Sequence, residues 1–203
     1  MNCSIMHLAI IILAAGKSKR LGSPKQLLQY KGKGLLQNSV EAALYTNIKP
    51  VIVITGSNAP LIEKELINYP VKQVFNENWE DGMASSIVCG LAYAEKIIPD
   101  LDSVMFLACD QPFVDGNLLN NLIEKQKTTG APITACIYEE VIGIPAIFHK
   151  SIFPELKKLQ GDSGAKKIIM HHADSTVTLS FQQGIIDIDT MIDYKSLLKA
   201  ISN

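Results

Sequence analysis

LAIIILAAG, residues 8–16, is apolar from its first residue to the one before its closing glycine. A strand with one wet face alternates apolar and polar residues. An unbroken β-branched run fits a strand covered on both faces, as in a parallel sheet. PVIVITG (50–56) repeats the strand-then-glycine pattern, and SVMFLAC (103–109) supplies another buried run. Between them LLQNSVEAALY (35–45), APLIEKEL (59–66) and MASSIVCGLAYAEKI (83–97) read as helices, the last with Met83, Ile87, Leu91 and Ala94 on one stripe. A short strand, VKQVF (71–75), and a helix over 115–127 complete the first half. Strands alternating with helices predict a three-layer α/β/α, Rossmann-like fold on a mostly parallel mixed sheet, with right-handed crossovers. After Thr129 the rhythm changes. ITACIY (133–138) and PAIFH (145–149) read as strands around a glycine-containing turn, and 153–159 and 163–170 as short helices. Late strands at 176–181 and 185–189 and a closing helix at 193–201 follow. No repeat, low-complexity tract or linker divides the chain, so one domain over residues 1–203 is expected.

Composition narrows the partners. With 203 residues, 47 % hydrophobic and 19 % charged, the chain is long and apolar enough to bury roughly 70 % of its extended surface. Lys plus Arg number 19 and Asp plus Glu 20, a net charge of −1, without the basic excess that offsets nucleic-acid phosphates. Cys3, Cys89, Cys109 and Cys136 are scattered with no C-x-x-C pair, as expected of small buried hydrophobes in a reducing cytoplasm. The early apolar run Leu8–Ala15 falls well short of the about 20 residues of a membrane span. Neither nucleic acid nor a membrane is an expected partner, and the expected location is cytoplasmic.

The richest stretch for function is LAAGKSKRLGSPKQLL, residues 13–28. A buried strand delivers the chain into a loop whose Gly16 and Gly22 permit turns and close backbone approach. Successive backbone N–H groups in such a loop cradle an anion. Arg20 offers planar bidentate contacts to phosphate and Lys25 a mobile point charge. Lys17, Lys19, Arg20 and Lys25 place four cations within nine positions, a local funnel for a polyphosphate in a nearly neutral chain. Neither familiar phosphate loop fits. G-x-x-x-x-G-K-[ST] fails because five residues separate Gly16 from Gly22, and G-x-G-x-x-G fails because Gly16 is followed by Lys17, Ser18 and Lys19.

Further along, CDQP (109–112) puts Asp110 at the carboxyl end of a buried strand, where open α/β sheets place their ligands. A carboxylate there is placed to hold Mg²⁺ beside the phosphates, or else to cap its own turn. Asp187 and Asp189 in IIDIDT have the i, i+2 spacing that puts both on one face of a strand, so that either completes a metal site or marks a surface strand end. In NENWEDGMASSIVCG (76–90), Gly82, Ser85 and Ser86 open a helix with free N–H groups and hydroxyls, and Trp79 either anchors the loop or lines the site. The loops GIP (143–145) and GDSGAKK (161–167) bring Gly143, Asp162 and Gly164, which suit an anionic partner or a plain surface turn. The histidines, His7, His149, His171 and His172, pair with no serine or cysteine in a nucleophile motif.

Taken in order along the whole chain, LAAGKSKRLGSPKQLL, NENW followed by GM and the serines, CDQP, GIP, LQGDSGAKK and DIDT resemble the molybdenum cofactor cytidylyltransferase family, within the MobA-like nucleotidyltransferases. The resemblance implies a nucleotidyltransferase fold. It also implies Mg²⁺-dependent transfer of CMP from CTP to the terminal phosphate of molybdopterin, a phosphorylated pterin, with release of pyrophosphate. By that likeness Leu13, Ala14, Ala15 and Gly16 approach the base and phosphates, and Arg20 and Lys25 bind phosphate. Asp110, with Asp189, holds magnesium. The Ala14-Ala15 pair resembles the cytidylyl branch, where guanylyl relatives tend to carry glycines. Transient contact with molybdoenzyme maturation proteins belongs to the same expectation. Two departures fall on the acceptor side: Ile144 stands where the family commonly has histidine, and Met191 follows DIDT where it has proline. A sugar phosphate or other small phosphorylated acceptor is the alternative, and a non-catalytic nucleotide-binding partner in cofactor assembly the second.

Overall fold

The structure, a computed structural model, describes residues 6–199. Cys3 and the end of the expected closing helix lie outside them. The apolar runs become β1 (Leu8–Leu13), β4 (Val51–Thr55) and β6 (Ser103–Ala108), all parallel, with β1 in the middle. Between β1 and β4 lie a small hairpin, β2 (Gln29–Tyr30) with β3 (Lys33–Gly34), and helix α1 (Leu35–Tyr45). Helix α2 (Ala59–Leu66) leads to the edge strand β5 (Lys72–Phe75), and α3 (Met83–Ile97) crosses back to β6. The second half adds α4 (Gly116–Thr129), β7 (Ile133–Tyr138), β8 (Val141–His149), α5 (Phe153–Leu156), α6 (Ala165–His171), β9 (Thr176–Ser180) and α7 (Met191–Lys199). The seven strands of the main sheet run β5-β4-β1-β6-β8-β7-β9. Only β8 is antiparallel to its neighbours, so the sheet is mixed but mostly parallel, as the sequence predicts.

Period-two alternation along β1 explains the three layers. Leu8, Ile10 and Ile12 pack with Val40 of α1, Ile62 of α2 and Leu122 of α4 on one face. Ala9 and Ile11 pack with Ile87 and Leu91 of α3, Leu156 of α5 and Ile168 of α6 on the other. The two faces carry separate apolar cores, so β1 has no polar position to spare. Cys109 and Cys136 are buried in this interior as free thiols, with Cys89 half-buried, and burial pushes the first two up to about 12.

Two expectations are corrected. GIP is not a loop: it lies inside β8, where the pairing of Ala135 with Ala146 jumps to Cys136 with Gly143. The skipped residues are Ile144 and Pro145, and a bulge accommodates a proline that has no N–H to give a ladder. Residues 185–189 are not a strand either. A 3₁₀ turn, Gln182–Ile185, precedes an extended tail whose Ile188 N–H donates to the Asp110 carbonyl at 2.9 Å. The tail is thereby tied to the end of β6 by a backbone bond outside any ladder.

Candidate active site

From β1 the chain crosses to β4 and β5 on one side, then returns to β6 on the other. The reversal leaves a crevice between the carboxyl ends of β1 and β6, the place where open α/β sheets bind ligands. Leu13 and Ala108 pair across those two ends, and both line a cleft of about 480 Å³. The loop after β1, the 76–82 segment, Asp110, Asp162 and the tail at Asp189 close its sides.

Lys25 sits at the base. Its Nζ donates to Asp110 Oδ2 at 2.5 Å and to Asp189 Oδ1 at 3.3 Å. Burial works against its charge, but the neighbouring acids, Asp110 foremost, prevail and push its pKa up. Lys25 is therefore a pinned ammonium, in place of the mobile point charge the sequence suggests. Arg20 reaches over the mouth, its guanidinium donating to Asp189 Oδ2 at 2.8 Å. Lys17 lies 4.5 Å from the Trp79 ring centroid and donates to Glu80 at 2.7 Å. Trp79 performs both roles the sequence allows: it lines the cleft, and its Cβ would lie 2.8 Å from any Cβ placed at Gly56. Asp187, two residues before Asp189, is held above the usual carboxylate range by burial and then by the charges of Asp110 and Asp189. Of the two aspartates of the tail, Asp189 lines the cleft and Asp187 does not.

Of the sequence candidates, Leu13, Ala15, Gly16, Arg20, Lys25, Gly82, Ser86, Asp110, Asp162 and Asp189 meet in this cleft. Ala14 is packed in the core behind it. Ser85 turns away, its hydroxyl donating to the Gly82 carbonyl at 2.9 Å. Gly164 precedes α6, with a would-be Cβ 2.9 Å from the Met83 sulfur. Gly143 is placed away from the lining, inside β8 under the Tyr138 hydroxyl. No histidine lines the cleft among the described residues.

Three side chains that hold the cleft's loops lie within the quoted motifs but read there as ordinary polar residues. The buried Gln26 donates from Nε2 to the carbonyls of Ala14 (2.8 Å) and Gly16 (3.1 Å), fixing both ends of the turn after β1. Its Oε1 is buried without a partner, so the residue serves as a donor. Gln26→Leu is expected to lower stability by about 1–3 kcal/mol, because two loop carbonyls lose their donors; urea unfolding measures this. The buried Asn76 donates to Ser85 Oγ (2.8 Å) and Ser86 Oγ (3.1 Å), setting the start of α3. Gln111 donates to the carbonyls of Ile144 and Gly184, both at 3.2 Å, and so ties the β8 bulge to the turn before the tail.

The tail has its own device. Thr190 N donates to Asp193 Oδ2 at 2.7 Å, and Asp193 N returns a bond to Thr190 Oγ1 at 3.3 Å. This reciprocal cap starts α7. It does without proline the work that a proline at the first helical position would do, and it also holds the Asp189 N–H at 3.3 Å.

A doubly wound sheet with a cation-rich loop and convergent carboxylates at its switch point defines a nucleotide-binding class of α/β protein. Residues 10–176 match the MobA-like NTP transferase domain, and the chain belongs to that nucleotidyltransferase family. Among named relatives, Nicotine blue oxidoreductase of Paenarthrobacter nicotinovorans is 28 % identical over 77 % of this chain and 78 % of its own length. The Purine catabolism protein PucB of Bacillus subtilis is 27 % identical over 97 % and 98 %. Among solved structures, Rv0371c of Mycobacterium tuberculosis superposes with a TM-score of 0.82 at 28 % identity, covering 96 % of this chain and 99 % of that one. A manganese complex of Rv0371c gives 0.80 at 25 % identity, covering 96 % and 100 %. No helix among the described residues is long and apolar enough to cross a membrane.

Proposed function

We propose that the chain transfers CMP from CTP to the terminal phosphate of a phosphorylated pterin, molybdopterin, releasing pyrophosphate. The observation that carries the transfer chemistry is the convergence of Arg20, Lys25, Asp110 and Asp189, from two loops and the tail, on one cleft at the switch point. Transfer between phosphates is chiefly positioning and charge stabilisation, and the attacking phosphate oxygen is already ionised. The absence of a histidine among the described lining residues is in keeping with that need. Arg20 would face the triphosphate at the mouth, and Lys25 would neutralise charge on the α-phosphoryl oxygens from below. The N–H groups after Gly16 would cradle the remaining phosphates.

The donors fit a hard divalent ion. Asp110 and Asp189 both accept from the Lys25 ammonium at the base of the cleft and offer oxygen alone. Asp110 and Asp189 would hold Mg²⁺, which when bound supplies neutralisation of phosphate charge. A solved relative, Rv0371c, is a complex with manganese, which supports binding of a divalent ion by this chain. CTP is favoured by the resemblance of the Ala14-Ala15 pair, of which Ala15 lines the cleft, to the cytidylyl branch. Ile144 and Met191 favour, as a second reading, a sugar phosphate or other small phosphorylated acceptor.

Pyrophosphate release by the purified chain with each NTP, Mg²⁺ and either molybdopterin or sugar 1-phosphates tests this. CTP with molybdopterin is expected to turn over fastest and to yield a CMP-linked product. Preference for a sugar phosphate overturns the acceptor, preference for another NTP overturns the base, and tight CTP binding without release overturns catalysis.

A further inference from the structure

On the face of the sheet covered by α3, α5 and α6, three metal-ligating side chains meet at the outer surface. Glu155 is on α5, His171 ends α6, and His172 caps it. His172 Nε2 lies 2.8 Å from Glu155 Oε1. The two imidazoles stand edge to face at 89°, their centroids 5.2 Å apart. One ligand atom from each of the three residues lies within 4.8 Å of the other two. Adjacent residues inside a helix diverge by about 100°. Here His172 has left the helix, with φ −106° and ψ 25°, and its ring comes back beside that of His171. The carriers are rigid: Phe153 and Leu156 of α5 and Ile168 and Ile169 of α6 are buried together in the core.

We propose that Glu155, His171 and His172 form a second metal site, selective for Zn²⁺ or a similar borderline ion. Two neutral imidazoles and a carboxylate suit zinc, whereas Mg²⁺ prefers oxygen donors such as those of the cleft. With metal–ligand bonds of about 2.0–2.1 Å, ligand atoms of a tetrahedral site lie roughly 3.4 Å apart. Rotation of the exposed His171 ring closes the remaining gap, and the open surface leaves water the fourth position. A His172–Glu155 hydrogen bond alone requires no second imidazole at the same point. The ion would staple α5 to the end of α6, the helix that begins just after the cleft residue Asp162.

The test titrates Zn²⁺ into the chelator-stripped full chain against a chromophoric chelator, with millimolar Mg²⁺ present. One equivalent of Zn²⁺ is expected, and at a hundredfold excess over its Kd a rise in Tm of about 5–11 °C. Glu155→Gln is expected to weaken binding at least about tenfold. H171Q/H172Q, which keeps a polar amide at each position, is expected to abolish it while its zinc-free Tm stays near that of the parent. Asp110→Asn is expected to keep the equivalent. Zinc binding that survives H171Q/H172Q, disappears with Asp110→Asn, or is displaced by Mg²⁺ overturns the proposal. Should the double variant melt early, the Glu155→Gln titration decides alone: unchanged affinity there also overturns it.

Discussion

Asp110→Asn is expected to cut NTP-dependent pyrophosphate release by about a thousandfold or more while the chain stays folded, because the proposed reaction depends on charge placed where phosphate charge builds. The side chain is nearly isosteric, so the exit from β6 and the backbone bond to Ile188 are unaffected. Lys25 keeps its second acid, Asp189, at 3.3 Å. The ammonium is therefore not left buried and bare, the situation that makes removing one partner of a buried pair so costly. A steady-state pyrophosphate assay beside a thermal melt separates the two effects. Near-normal turnover would remove Asp110 from the chemistry, and collapse of the melt would make its role structural.

Gly82→Ala is expected to be the most destabilising single-methyl change at the cleft. Gly82 has φ +95° and ψ −175°, a region populated almost only by glycine. An added Cβ would lie 2.5 Å from the Gly161 carbonyl carbon and oxygen and 2.7 Å from Asp162 Oδ1. The Gly161 oxygen already accepts from Ala84 N at 3.1 Å, joining the start of α3 to the 161–164 loop. Strain and displacement together should cost about 3 kcal/mol, or roughly 6–12 °C in Tm for a chain of this size. Because Asp162 moves with the backbone that the methyl displaces, KM for the nucleotide should rise as well. A Tm within a degree of the parent would show that the 161–164 loop yields freely.

The features legible in the sequence are those that local chemistry dictates. The unbroken run of β1 reports burial on both faces, and the cations after Gly16 and the aspartate after β6 stand at strand ends where switch-point sheets bind ligands. Illegible are the features made by distant partners. Gln111 matters because it reaches carbonyls 33 and 73 residues away, and nothing in CDQP announces that. Gln26 and Asn76 likewise read as ordinary polar residues until the turn and the serines they hold are brought to them. Ile-Pro within β8 reads as a loop because proline argues against a strand, and only the pairing with β7 shows a bulge. The segment before Asp189 alternates like a strand but has no ladder to join. The DIDT tail lacks a family proline, and the cap that replaces it depends on Asp193 three residues on.

The cations of the cleft do not stand alone. Lys17, Lys19, Arg20 and Lys25 share its lining with Glu80, Asp110, Asp162 and Asp189, so the formal charges cancel. At distances beyond a Debye length of about 8 Å, such a site exerts little pull on a triphosphate. In the proposed reaction nucleotide capture would then be governed by contact and partner exchange, with Arg20 and Lys17 trading their carboxylates for phosphate oxygens. Association should accordingly be slower than electrostatically steered encounter and only weakly dependent on ionic strength, with selectivity expressed in how long the nucleotide stays.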